Sequence, residues 1–208
     1  DGTSPVEPLA QQLDAEVEKL RKATGAARID LVGHSLGALV VRYWVQKLDG
    51  AARTRRFVSL AGPHQGVVGA WAAHLPLAVQ LKPDSPFLKD LQQDSRAIES
   101  IEAFDFYTPM DAVIVPALRQ HLPGARVRRG YPKVPTHSQM HTHPLMLQVI
   151  HDALVQGARA FPAETSLIGR LDRATEAVEE SARKAAAKAA EKLHRPQPSP
   201  SPSPAPAP

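Results

Sequence analysis

The feature that most narrows what this chain can fold into is a five-residue turn, Gly33-His34-Ser35-Leu36-Gly37, wedged between two different hydrophobic patterns. Before it, Arg28 to Val32 is a short apolar run that reads as a buried strand. After it, Leu36 to Leu48 carries a helical repeat. A match to G-x-S-x-G means little alone, but one joining a strand to a helix with no spare residue specifies a sharp elbow. Glycines at both flanks are expected because Cβ atoms there would clash. The elbow lifts Ser35 Oγ above the C-terminal edge of the sheet. The helix that starts there aims its dipole and free N–H groups at any negative charge beside the serine. The Leu36 N–H is one such donor. A plain Gly-flanked turn is the alternative.

The rest of the body alternates in the same way. Ser4-Pro5-Val6-Glu7 reads as a capping box, and Leu9, Leu13, Val17 and Leu20 as one face of a helix that ends at Gly25. Phe57–Ala61, Ile101–Tyr107 and Arg126–Gly130 read as strands. Ser85-Pro86 opens a short helix, and Pro144 to Ala160 forms an amphipathic one. This pattern predicts an α/β fold with a mostly parallel sheet and helices on both faces. It occupies residues 1–163. Residues 164–195 are rich in Ala, Glu and Lys, with Glu176, Glu180, Lys184 and Lys188 at four-residue spacing, and predict a helix. Residues 196–208, with proline at every second position, predict a disordered tail.

Composition removes several chemistries. Cysteine is absent, so disulfides, thiolate zinc sites and a cysteine nucleophile are excluded. The net charge of +4 is too weak to argue for nucleic acid. No apolar run is long enough to span a bilayer. His137, His141 and His143 have no standard zinc spacing, and no metal is expected. The chain starts at Asp1 with no leader-like pattern after it, so the compartment stays open: secreted or cell envelope if a signal lies upstream, otherwise cytoplasmic.

The elbow resembles that of the α/β-hydrolase family, in its bacterial lipase/esterase branch. Three further segments carry the resemblance: Ser59-Leu60-Ala61-Gly62-Pro63-His64-Gln65-Gly66, Lys82-Pro83-Asp84-Ser85-Pro86-Phe87-Leu88, and Tyr107-Thr108-Pro109-Met110-Asp111-Ala112-Val113-Ile114-Val115-Pro116. Together they cover roughly residues 1–160. The resemblance implies a Ser-His-Asp triad, in the chain order serine, acid, histidine, acting on carboxylic esters without a cofactor. The same triad serves acyltransferases and thioesterases, which stay open as alternatives.

The last of those segments is similar to the family's acid loop. Asp111 follows a strand pattern and sits in that loop, which makes it the expected acid. Asp105 is a rival that its strand position would bury. His121, His137, His141, His143 and His151 all follow Asp111 in order. His143, opening the last helix ahead of Leu145-Met146-Leu147, resembles the family's catalytic histidine and is the expected base; His141 and His137 are the alternatives. His34, His64 and Trp71 are the expected substrate-side residues.

The family's sheet has eight strands, and this sequence accounts for the last four. No His-Gly pair of the kind that supplies the family's second oxyanion donor occurs. The expectation is a chain truncated at its N-terminus, with Arg28–Val32 left as an apolar edge strand, poorly stable or nearly inactive alone; an inactive remnant is then a further reading. Val67 to Leu81, with Trp71, Leu75, Leu77, Val79 and Leu81, reads either as a lipid-facing cap or as a helix packed on the sheet. Arg53, Arg55, Arg56 and Arg126, Arg128, Arg129 form two basic clusters that would suit anionic headgroups or simply face solvent. The expected partner is a lipid or small ester substrate, with transient membrane-surface contact.

Overall fold

The computed structural model describes residues 4–72, 75–134 and 136–161, without the side chains of Trp71 and Ala72. The helix expected at 164–195 and the tail at 196–208 lie outside the described residues.

Four parallel strands, β1 (Ile29–His34), β2 (Thr54–Leu60), β3 (Glu102–Tyr107) and β4 (Val127–Gly130), lie side by side in chain order. Gly33 pairs with Ser59, Ser59 with Asp105, and Asp105 with Arg128, so one row of side chains crosses the whole sheet. Alternation sorts the rest. Phe57 and Ala103 face one core, which they share with α2 (Leu36–Lys47); α1 (Val6–Thr24) packs on α2. Val58, Leu60, Phe104 and Phe106 face a second core, closed by Met146, Val149 and Ala153 of α6 (Pro144–Gln156), which follows the short helices α3 (Pro76–Gln80), α4 (Pro86–Gln92) and α5 (Arg96–Glu99). Among the described residues β1 forms one end of the sheet, and Val32 on it is 45% exposed. None of the described helices is long and apolar enough to cross a membrane.

Two local readings change. The N-cap of α1 is Pro5 instead of Ser4, and its side chain offers nothing to the first turn. A distant residue does that work. Gln80 Oε1 accepts from the Val6 amide at 2.8 Å, and Gln80 Nε2 donates to Glu7. The buried stripe of α1 is Val6, Ala10 and Val17, while Leu20 is half exposed. Gly25 ends the helix in the left-handed region, as its position implied.

The basic clusters are mostly tied inward. Arg53 bonds Asp14 and Glu18 and lies over the Trp44 ring. Arg55 pairs with Asp30 and Arg56 with Glu102. Arg128 faces Asp105 at 3.6 Å, and Arg129 lies over Phe161. Of the six, Arg55 and Arg126 are exposed.

Candidate active site

β1 delivers Ser35 to the C-terminal edge of the sheet, where the chain must reverse into α2 within one residue. Ser35 absorbs that reversal with φ 53 and ψ −126, a conformation costly for a residue bearing a Cβ. Its amide donates to the Leu60 carbonyl at 2.9 Å, which fastens the elbow to β2. The two flanking glycines differ. A Cβ on Gly33 would sit 2.6 Å from Ala38 Cα, so the closeness of α2 to β1 demands glycine there. A Cβ on Gly37 would meet nothing within 4 Å, so the expected clash exists on one side only.

Ser35 and Leu36 open onto a cavity of about 320 Å³. Its walls are Val67, Ala70, Leu75, Leu77, Leu81 and Ile114 among others, nearly all apolar. The Val67–Leu81 stretch is broken into a 3₁₀ turn, Val68–Ala72, and a short helix α3, Pro76–Gln80. Leu77 both joins the core and walls the cavity, so the stretch serves the two at once. Exposed apolar side chains, Val68, Leu75, Val79, Met110 and Val113, belong to the segments that line this cavity.

Asp111 lies in the loop after β3 and has little exposure of its own. Its Oδ1 accepts from the amides of Val113 and Ile114 at 2.7 and 2.9 Å. Its Oδ2 lies 2.6 Å from His137 Nδ1. Burial pushes the Asp111 carboxyl up, but the bonds from His137 and the two amides outweigh it and hold the group below the usual carboxylate range. An ionised Asp111 can only accept, so His137 Nδ1 carries the proton and donates it into this bond, which leaves Nε2 as the nitrogen without a proton.

The structure thus pairs Asp111 with His137 and not with His143. His143 is the N-cap of α6: its Nδ1 accepts from the Leu145 amide at 3.2 Å, with Pro144 at the first helical position. Its place at the helix start, which made it the expected base, is a capping role. His137 comes from the segment directly after β4, held to the end of β3 by Tyr131 N to Tyr107 O and by Thr108 Oγ1 to Val134 O. His141 lies one 3₁₀ turn further on, exposed, with its ring 4.3 Å from that of His34. His151 is exposed on α6 beside Asp152.

Two of the expected substrate-side residues face elsewhere. His64 is fully buried, and its Nε2 lies 2.8 Å from Ser59 Oγ. It packs so tightly beneath Gly62 that a Cβ there would lie 2.4 Å from Nε2. Burial, with Arg42 and His121 nearby, keeps it neutral. His34 lies outside the cavity wall; its ring reaches the His137 backbone instead. The third, Trp71, has its side chain outside the described residues. Asp105, the rival acid, is buried, accepts from the Leu122 amide at 2.9 Å and faces Arg128.

Arg42 gave no signal in the sequence. It is a buried arginine on α2 that donates to the carbonyls of His64 and Leu91 and to Gln46. Desolvation drops its pKa to about 9, with Asp105 pulling the other way. It pins the turn after β2 to the helix that carries the elbow.

A family model described as palmitoyl protein thioesterase matches residues 1–117, more than half of the chain, a span that holds Ser35 and Asp111. The fold is similar to that of lipase B from Aspergillus fumigatus, with a TM-score of 0.63, 14% identity, and coverage of 73% of this chain and 42% of that one. It is similar to a Bacillus licheniformis lipase in its mature form at a TM-score of 0.58 and 14% identity, covering 73% of this chain and 75% of that one. A gene product of Listeria innocua matches at 0.56 and 17% identity, covering 74% and 68%.

Proposed function

The chain belongs to the palmitoyl protein thioesterase family and has the α/β-hydrolase fold of ester-cleaving hydrolases, and on that premise we propose that it is a serine hydrolase for the carboxylic ester or thioester of a fatty acyl chain. The observation that carries the proposal is the 2.6 Å Asp111–His137 pair at the sheet edge where the elbow strains Ser35 over an apolar cavity. Ser35 Oγ attacks the acyl carbonyl while His137 Nε2 takes its proton. Asp111 holds the ring orientation and stabilises the imidazolium. The Leu36 amide, first in α2, donates to the oxyanion with the helix dipole behind it. Collapse expels the alcohol or thiol, protonated by His137, and water then releases the acid from the acyl-enzyme.

The cavity supports an acyl group on the Ser35 side of the scissile bond. A cavity of roughly 150 Å³ holds benzene, about 25 Å³ per carbon, so the space beside Ser35 suits a chain of about a dozen carbons. The exposed Val68, Leu75, Val79, Met110 and Val113 support substrate arriving from a lipid surface. Hydrolysis of p-nitrophenyl esters and matched acyl thioesters from two to sixteen carbons tests this. The proposal expects kcat/KM to rise about tenfold or more from two carbons to the optimum. A flat profile, or no turnover of any member, would overturn it.

A further inference from the structure

His34 stands inside the elbow, yet its side chain joins neither the cavity wall nor either core. Its Nε2 lies 3.0 Å from the backbone carbonyl of His137, a residue 103 positions away. Its ring centroid is 4.9 Å from that of His137 and 4.3 Å from that of His141. A carbonyl can only accept, so Nε2 of His34 carries the proton and donates. Burial pushes the His34 pKa down; the bond to the His137 carbonyl opposes it, His137 and His141 add to it and Asp111 opposes it again, and the net direction is down, so the ring is neutral at ordinary pH.

The topology explains why this bond matters. The segment carrying His137 hangs from the end of β4 and is fastened to the end of β3 by Tyr131, Thr108 and Asp111. Ser35 sits at the end of β1, two strands further across the sheet. The Asp111–His137 pair therefore ties the ring of the base to β3, and leaves the backbone beneath that ring, and its distance from the nucleophile, to the stiffness of β2 between them. The His34 bond joins the elbow to the base segment directly.

We infer that His34 is a positioning residue: by donating to the His137 carbonyl it ties the base segment to the nucleophile elbow and sets where His137 stands relative to Ser35. The inference rests on the serine-hydrolase reading above. Displacing a reacting group by about an ångström can cost about a hundredfold in rate, so a tether between the two halves of the site carries more than its own bond energy.

Two substitutions separate tether from packing. His34→Phe keeps a ring and removes the donor. His34→Gln places an amide N–H near the original Nε2. Each is measured for kcat, KM, the pH dependence of kcat/KM, thermal melting, and the low-field proton NMR signal of His137 Nδ1–H, the proton shared with Asp111. The expected result for His34→Phe is a fall in kcat of about tenfold or more with KM within twofold. The His137 signal broadens as the backbone beneath the ring loses its tether and the Asp111 pairing loosens. His34→Gln recovers most of the rate and the sharp signal, with a melting temperature close to that of His34→Phe. Wild-type kcat and a sharp signal in His34→Phe would overturn the inference, as would equal losses in both variants that follow their melting temperatures. If the wild-type chain turns over no ester, the hydrolase reading fails separately. The NMR comparison then still decides the tether, because it needs no turnover: a sharp signal in His34→Phe refutes it.

Discussion

The molecule holds two serine–histidine neighbourhoods, and they are built for opposite ends. Ser59 and His64 meet at 2.8 Å in full burial, and no acid reaches the other nitrogen of His64: among the described residues its Nδ1 has no hydrogen-bond partner. Ser59 lies in a regular strand, opposite Gly33 on one side and Asp105 on the other. Ser35 is strained, half-buried and open to a cavity, and the histidine nearby is oriented by an ionised aspartate. A serine next to a histidine is therefore common chemistry put to structural use. Strain, access and an acid on the far nitrogen set the surroundings of Ser35 apart from that core hydrogen bond, and under the proposed function they are what a nucleophile needs.

Substitution should break this comparison in one direction only. Ser35→Ala is expected to lower ester hydrolysis by about 10⁴–10⁶-fold, and Ser59→Ala to leave kcat within about twofold, both read in the p-nitrophenyl ester assay. Asp111→Asn keeps the shape but favours the wrong tautomer of His137, and should cost about 10⁴-fold with the melting temperature little changed. On stability the order reverses. Ser59→Ala strands a buried imidazole and is expected to cost about 1–3 kcal/mol by urea titration, whereas Ser35→Ala should cost less.

Acid sharpens the same contrast. His64 and His121 have folded pKa values below the usual 6.5, that of His121 at about 3, chiefly because burial penalises the charged ring. Their contribution to stability is fully present above the unfolded value. It is lost as pH falls below 6.5 toward the folded values, because the unfolded chain then binds the extra protons. Each histidine adds a slope of about 1.4 kcal/mol per pH unit in that window. His121→Phe should flatten the stability profile between pH 6 and 4, as measured by urea titration at each pH. The smallest effect is expected at one of the two elbow glycines, Gly37. Gly33→Ala should destabilise by about 1–3 kcal/mol because a backbone atom blocks the new methyl, and Gly37→Ala should be close to neutral.

What the sequence made legible was local. The elbow, the strand and helix alternation and the αL end of α1 at Gly25 each follow from neighbouring residues, because backbone sterics and periodicity act over a few positions. The choice among five histidines does not. It depends on which loop leaves the C-terminal edge of the last strand, and on which ring nitrogen is already occupied. A signal was available: Pro144 at the first helical position marks His143 as an N-cap, and a capping side chain is already committed to its own helix. Gln80 capping α1, Arg42 pinning the turn after β2 and His34 reaching His137 join residues 22 to 103 positions apart, and no local pattern announces them.

The central claim is that His137, and not His143, serves Ser35. A fluorophosphonate probe, with the adduct mapped by mass spectrometry, tests it directly on the full chain and on its His137→Ala and His143→Ala variants. The account predicts a label on Ser35 in the wild-type chain and in His143→Ala at similar rates, and its loss in His137→Ala. Labelling of His137→Ala at the wild-type rate, or its loss in His143→Ala with the fold intact, would contradict it.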